Sequence, residues 1–255
     1  MKDTMNEDWK NWVSSQLEKK VSVIKIQESL VKQNYSPKCI NEVIGHVQEQ
    51  CNDTRPLPEF TELHTYTKDN FVTEEECKHF INLAKNEIME QSKVAGQSEG
   101  FKSEGRSGTN CWVLHDKTPT TLEIAKRISN LVNIPLKYAE SFQVIHYDEA
   151  QEYRPHYDGW KHDGSEKSYR MMKNKGQRLC TCLVYLNTPE EGGATVFPKL
   201  DKEVTAEQGK LLYFSNVEQN THILHPNSLH GGAPVIQGEK WAFNLWFRER
   251  ASPVK

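Results

Sequence analysis

Apolar positions recur at helical spacing through the first fifty residues and at strand spacing from about residue 142 onward. Trp9, Trp12, Val13 and Leu17 fall on one helical face. Val23, Ile24, Leu30 and Val31 mark a second amphipathic stretch, and Ile40, Val43, Ile44 and Val47 a third. The third opens at Ser36-Pro37, where a hydroxyl can cap free N–H groups and proline takes a position with no intrahelical bond to lose. A small helical bundle is therefore predicted over residues 1–52, its apolar faces packed on one another, on the rest of the chain or on a partner. In "NDTRPLPEF" two prolines at alternate positions disfavour helix and central strand, which predicts a linker over 53–62.

The remainder, 63–255, changes character midway. Thr73 to Glu76 fits a capping box, and the helix it opens carries Cys77, Phe80, Ile81, Ala84 and Ile88 on one face. Residues 92–110 are polar and rich in Gly and Ser, so they are predicted to be a flexible loop. Thr118-Pro119 starts a further helix with Leu122, Ala125, Ile128 and Val132 inward. Then come short runs rich in β-branched and aromatic residues, "FQVIHY", "RLCTCLVYL", "GKLLYF" and "WAFNLWF", separated by turn-forming sequence. Helices first and strands afterwards imply an α+β fold, with helices packed outside a β-sandwich or jelly roll.

Composition narrows the function classes. Lys+Arg 32 against Asp+Glu 35 gives a net charge of -3, which offers no basis for a nucleic-acid surface or a basic membrane face. No run approaches the roughly 18 apolar residues of a membrane span. The N-terminus is charged and lacks the apolar core of a signal peptide, so a cytoplasmic protein is expected. Six cysteines without a CxxC pair suggest reduced thiols rather than a disulfide framework or a zinc finger. Oligomeric state is left open.

The candidate chemistry begins at "YRPHYDGW", where His156 and Asp158 stand one residue apart. Such a pair alone is more often a polar turn. A further His changes this, because two His and one carboxylate bind one face of Fe(II) and leave three positions open. His222, His225 and His230 can each supply it. Ten residues beyond His230 lies Lys240, which shares a strand face with Ala242, Asn244 and Trp246. A Lys, an Asn and a Trp together on a strand that otherwise reads as buried suggest a pocket.

With these residues the chain resembles the 2-oxoglutarate- and Fe(II)-dependent oxygenases of the prolyl 4-hydroxylase family, over about residues 60–250. The resemblance rests on "FQVIHYDEAQEYRPHYD", "GQRLCTCLVYLNTPEEGGATVFP" and "LHGGAPVIQGEKWAFNLWF", in that order. It implies a double-stranded β-helix (jelly roll) core. It implies His156, Asp158 and His230 as iron ligands and Lys240 as the partner of the 2-oxoglutarate distal carboxylate. Tyr147, Thr195, Tyr185 and Thr181 would line the cosubstrate pocket. Arg178, Tyr153 and Trp246 would lie around the substrate and the iron. The implied reaction hydroxylates prolyl residues of an intracellular protein or peptide, consumes O2, converts 2-oxoglutarate to succinate and uses ascorbate as a reductant. The alternatives are the same chemistry on a free amino acid or other small molecule, and a non-catalytic binding module on the same fold. A zinc hydrolase would leave Lys240 unexplained. The loop 159–176, basic in its second half, is either a closure over a bound peptide or a solvated insertion.

Overall fold

The computed structural model describes residues 1–50, 62–91, 106–161, 165–219 and 221–251. The N-terminal periodicity becomes helices α1 (Glu7–Glu18), α2 (Val23–Lys32) and α3 (Pro37–Gln50). Val13, Leu17, Ile26, Leu30, Ile40 and Ile44 are buried in one cluster, with Trp9 and Trp12 packed against it. The apolar faces thus pack on one another. The side chain of Ile24 and the predicted linker, apart from Glu62, lie outside the described residues.

Two capping boxes start the next helices. The Thr73 hydroxyl accepts from Glu76 N while the Glu76 side chain accepts from Thr73 N, opening α4 (Glu74–Lys85). Thr118 and Thr121 do the same for α5 (Pro119–Val132). Both sequence readings need correction in detail. Helix α4 stops at Lys85, where Asn86 turns its side chain back to Asn82 O, so Ile88 lies beyond the helix and is exposed. On α5 the inward stripe is Thr121, Ile124, Ala125 and Ile128, and Leu122, one residue off that stripe, is only partly buried.

The strands form two main sheets. The seven-stranded sheet contains β1 (Thr65–Lys68), β2 (Glu90–Gln91), β3 (Thr109–Val113), β4 (Phe142–Tyr147), β6 (Arg178–Tyr185), β10 (Leu211–Ser215) and β13 (Lys240–Arg248), in the order β1-β10-β6-β13-β4-β3-β2. The four-stranded sheet contains β5 (Tyr153–His156), β8 (Thr195–Phe197), β9 (Lys202–Val204) and β11 (His230–Gly232), in the order β5-β11-β8-β9. A small pair joins β7 (Glu191–Gly192) to β12 (Val235–Gln237). All the pairings within these sheets are antiparallel. This is an α+β protein with a jelly-roll core.

Period-two alternation sorts the large sheet into two faces. Val144, Cys182, Val184, Phe243 and Leu245 pack under α4 and α5 with Phe80, Ile124 and Ile128. Ile145, Leu183, Tyr185 and Ala242 turn the other way and meet Phe197, Val204 and Phe214 between the sheets. That second face carries the chemistry. Cys39, Cys77, Cys111, Cys180 and Cys182 are buried free thiols.

Two loops are more ordered than composition suggests. Thr109 and Asn110, read as loop, belong to β3, because in-register pairing with β4 and the inward Cys111 and Val113 hold that segment extended. Residues 92–105 of that loop lie outside the described residues. Within 159–176 a short helix, α6 (Glu166–Met172), is capped by the Ser165 hydroxyl accepting from Ser168 N. Among the described residues no helix is long and apolar enough to cross a membrane.

Candidate metal centre

The antiparallel pairing of β5 with β11 places His156 directly opposite His230. Asp158 follows β5 by two residues. Ligand atoms of the three lie within 4.8 Å of one another. His156 Nε2 is 3.6 Å from Asp158 Oδ1, and His230 Nε2 is 3.5 Å from Asp158 Oδ2. Of the other two candidates, His222 stands 3.9 Å from Glu249, and His225 accepts Asn227 N at its Nδ1. Neither joins this cluster.

Hydrogen bonds fix how the ligand atoms are presented. His156 Nδ1 meets Arg154 O at 3.0 Å, and His230 Nδ1 meets Ser228 O at 2.9 Å. A carbonyl only accepts, so each Nδ1 carries the proton and each Nε2 keeps its lone pair directed at the centre. Asp158 is buried, and Oδ2 accepts from Thr181 Oγ1 and from Trp246 Nε1, each at 2.8 Å. Asn216 Nδ2 donates in turn to Thr181 Oγ1 at 2.9 Å. Burial opposes the Asp158 charge, but the two imidazoles and Arg178 outweigh it and hold the carboxyl far below its ordinary range. Burial lowers the His230 pKa to about 4, which leaves a neutral imidazole suited to a metal.

The centre opens into a cavity of about 430 Å³ whose walls include Arg106, Trp112, Tyr147, Tyr153, Thr195, Lys240, Asn244 and Trp246. Lys240 is 3% exposed, and burial pushes its pKa down to about 8. Its Nζ donates to Gly193 O at 2.5 Å and lies 5.3 Å from the Tyr185 ring centroid. Gly193 adopts φ 71°, a left-handed conformation open to glycine. No carboxylate of the described residues pairs with Lys240, so it is a buried cation aimed into a cavity without a counter-charge. That fits an anionic ligand, just as the His-Asp-His donor set fits Fe(II).

The other predicted residues divide. Tyr147 is the cross-strand partner of Lys240 and, like Thr195, lines the cavity. Tyr185 is fully buried behind them and donates its hydroxyl to Thr195 Oγ1 at 2.7 Å. Thr181 is spent on Asp158. Tyr153 stacks on His156 with ring centroids 3.6 Å apart. Burial outweighs the opposing effect of Arg106 and pushes the Tyr153 phenol up to about 12. Arg178 reaches the cavity wall, but its guanidinium is bound to both oxygens of Glu140, at 2.8 and 2.9 Å, and lies 3.6 Å from the Trp246 ring centroid. Arg248 adds a third hydrogen bond to Glu140, at 2.8 Å.

Several wall residues were not legible as such. Arg106, inside the stretch read as loop, is 6% exposed, lies over the Tyr153 ring at 4.7 Å and has a buried Nε without a partner among the described residues. Its Nη2 donates to Gln143 Oε1 at 3.4 Å, and Gln143 Nε2 donates to Asn110 Oδ1 at 3.3 Å. Gln143 shares strand parity with Ile145 and Tyr147, a signal available in "FQVIHY". Nothing local marked Arg106, Glu140 or Asn216.

Comparison with known proteins agrees with this geometry. The model of the 2OG-Fe(II) oxygenase superfamily matches residues 142–248, which contain every ligand candidate and Lys240. A probable prolyl 4-hydroxylase of Arabidopsis thaliana is 38% identical over 201 residues, covering 70% of this chain and 66% of that protein. The match therefore spans just under two thirds of that relative. A putative prolyl 4-hydroxylase of Acanthamoeba polyphaga mimivirus is 31% identical, covering 72% and 74%. Among solved structures, the viral collagen prolyl hydroxylase of Paramecium Bursaria Chlorella virus-1, in its 2OG complex, aligns with TM-score 0.58 and 29% identity, over 72% of this chain and 95% of that one. With a jelly roll that pairs His156 against His230 and buries a lysine in the adjoining cavity, the chain belongs to the prolyl 4-hydroxylase family of the 2OG-Fe(II) oxygenase superfamily.

Proposed function

We propose that this protein is an Fe(II)- and 2-oxoglutarate-dependent dioxygenase that hydroxylates prolyl residues, at C4, in a cytoplasmic protein or peptide. The observation that carries the proposal is the pairing, in one cavity, of a His-Asp-His donor set with the uncompensated buried cation Lys240. His156, Asp158 and His230 would hold Fe(II) through Nε2, a carboxylate oxygen and Nε2. Lys240 would take the distal carboxylate of 2-oxoglutarate, with the Tyr147 and Thr195 hydroxyls beside it. When bound, iron, 2-oxoglutarate and O2 supply the oxidising equivalents, leaving succinate and CO2, with ascorbate as a reductant that restores Fe(II).

The chain's own contribution is binding, orientation and exclusion of water. Thr181 and Trp246 hold the Asp158 carboxylate. Tyr153, Trp246 and Arg178 wall the space next to the metal with rings and a stacked guanidinium. A dry, pre-shaped site protects a reactive centre and directs it at one C–H bond. Trp112, 51% exposed, carries an aromatic surface from the cavity wall out to solvent, which favours a peptide over an enclosed small molecule.

The test measures succinate formation with Fe(II), 2-oxoglutarate and proline-containing peptides, for wild type and His230→Ala. Peptide-stimulated turnover with a +16 Da shift on proline, lost in the variant, supports the proposal. Turnover indifferent to peptide points to a free amino acid or other small molecule. Absence of both metal binding and turnover points to a non-catalytic binding module.

A further inference from the structure

Residues 165–178 carry a surplus of positive charge on a segment that borders the cavity. Helix α6 and the turn after it carry Lys167, Arg170, Lys173 and Lys175 against one carboxylate, Glu166. Lys167, Arg170 and Lys173 are exposed, and none of the four pairs with a carboxylate of the described residues. Met171 lines the cavity that contains the metal centre. Lys167, four residues before it, shares its helical face, so one cationic side chain stands next to the cavity wall, with Arg170 and Lys173 exposed on the rest of the short helix and its end.

The segment is held there by Arg248 at the end of β13 and Arg250 just beyond it. Arg248 Nη2 donates to Met171 O at 2.9 Å and also to Gly176 O, while Arg250 Nη2 donates to Met172 O at 3.0 Å. Arg248 also binds Glu140, which binds Arg178 against Trp246. The basic segment is thus tied into the scaffold of the site.

Within the cavity walls charge is nearly balanced. Arg106, Arg178 and Lys240 are matched in number by Glu90, Glu140 and Asp158, although none of these carboxylates pairs with Lys240. Glu140 is neutralised by Arg178 and Arg248, and Glu249, near the end of the segment, accepts Gln177 N. Among the described residues the surplus lies on the α6 side of the opening, whereas Glu90 gives the β2 edge the opposite sign.

We propose that α6 and the following turn are a docking rim for acidic residues beside the target proline, so that the substrate is a proline-containing peptide with Asp or Glu on one side of that proline. This rests on the hydroxylase function proposed above. Exposed ion pairs contribute little singly, but three or four on one rim act together and fade with salt. The effect is expected in KM, because the rim is remote from the reacting bond.

The test uses four peptides with one proline core: neutral, acidic on the N-terminal side, acidic on the C-terminal side, and basic on both sides. Turnover of each by the full-length iron-loaded enzyme is measured in low and high salt. Binding of fluorescently labelled forms is followed by anisotropy. One acidic peptide should show a KM about five- to tenfold below the neutral one, with similar kcat, and the gap should close in high salt. Lys167→Glu/Arg170→Glu/Lys173→Glu should invert the order and favour the basic peptide, a gain that misfolding cannot produce. Equal KM and equal binding for neutral and acidic peptides, or a variant that weakens all peptides alike, would overturn the proposal. A neutral peptide that wild type does not hydroxylate would count against the hydroxylase function itself, while the anisotropy comparison would still decide the rim.

Discussion

Thr181 and Trp246 are cross-strand partners on β6 and β13, and both donate to the same oxygen, Oδ2 of Asp158, at 2.8 Å. With Oδ2 so engaged the carboxylate is held in place, and Oδ1 is the oxygen that would remain free for a metal. Thr181→Val and Trp246→Phe, each removing one donor while nearly keeping shape, should each weaken Fe(II) or Co(II) binding by about 10- to 100-fold. Metal titration of the apo-protein checks this. An unchanged affinity would show that the two donors do not position the carboxylate.

Lys240 predicts a pH dependence. Its pKa, lowered to about 8 by burial, leaves it cationic at neutral pH and uncharged above. KM for 2-oxoglutarate should rise as pH passes about 8. Lys240→Met should show no such limb and bind 2-oxoglutarate about 10- to 100-fold more weakly, the equivalent of one charge-assisted hydrogen bond. Stability moves the other way. Between about 8 and the ordinary 10.5 the unfolded chain holds the proton that the native state has released, so wild type gains stability with rising pH. The Met variant should lack that gain in denaturant titrations at pH 7 and 10.

Glu140 contributes to stability against acid. Burial by itself would raise its pKa, but Arg178 and Arg248 overcome this and bring it to about 2. The unfolded chain takes up the proton near 4.5 and the native state only near 2, so this stabilisation is complete above 4.5 and lost as pH falls to 2. Glu140→Gln leaves two buried guanidiniums without their carboxylate and should cost about 3–5 kcal/mol at pH 7. The difference from wild type should shrink towards pH 2, as read by urea unfolding across that range.

The N-terminal bundle has its own core of Val13, Leu17, Ile26, Leu30, Ile40 and Ile44, separate from the two cores of the jelly roll. Deleting residues 1–52 should leave the main melting transition within a few degrees of wild type and retain succinate formation. Aggregation or loss of metal binding in the deletion would show that the bundle supports the sheet domain.

Local chemistry settled the elements that the sequence made legible. The capping threonines Thr73 and Thr118 act within four residues of chain, and the alternation of "FQVIHY" and "WAFNLWF" needs only the pleat of a strand, so both read directly. The HxD pair with a later His, and Lys240 sharing a face with Asn244 and Trp246, were legible because residue type and parity carry that information. Tertiary structure alone decided the rest. It brought His230 rather than His222 or His225 to His156 and Asp158, because His230 lies on β11, which pairs with β5. It gave Thr181 to Asp158 rather than to the cosubstrate wall, and engaged Arg178 with Glu140, thirty-eight residues away. It brought Arg106 out of a glycine- and serine-rich stretch to cover Tyr153, and built α6 inside a segment that reads as loop. Each of these depends on partners distant in sequence, and the energy of a buried charge or hydrogen bond is set by the groups that fold around it rather than by its neighbours along the chain.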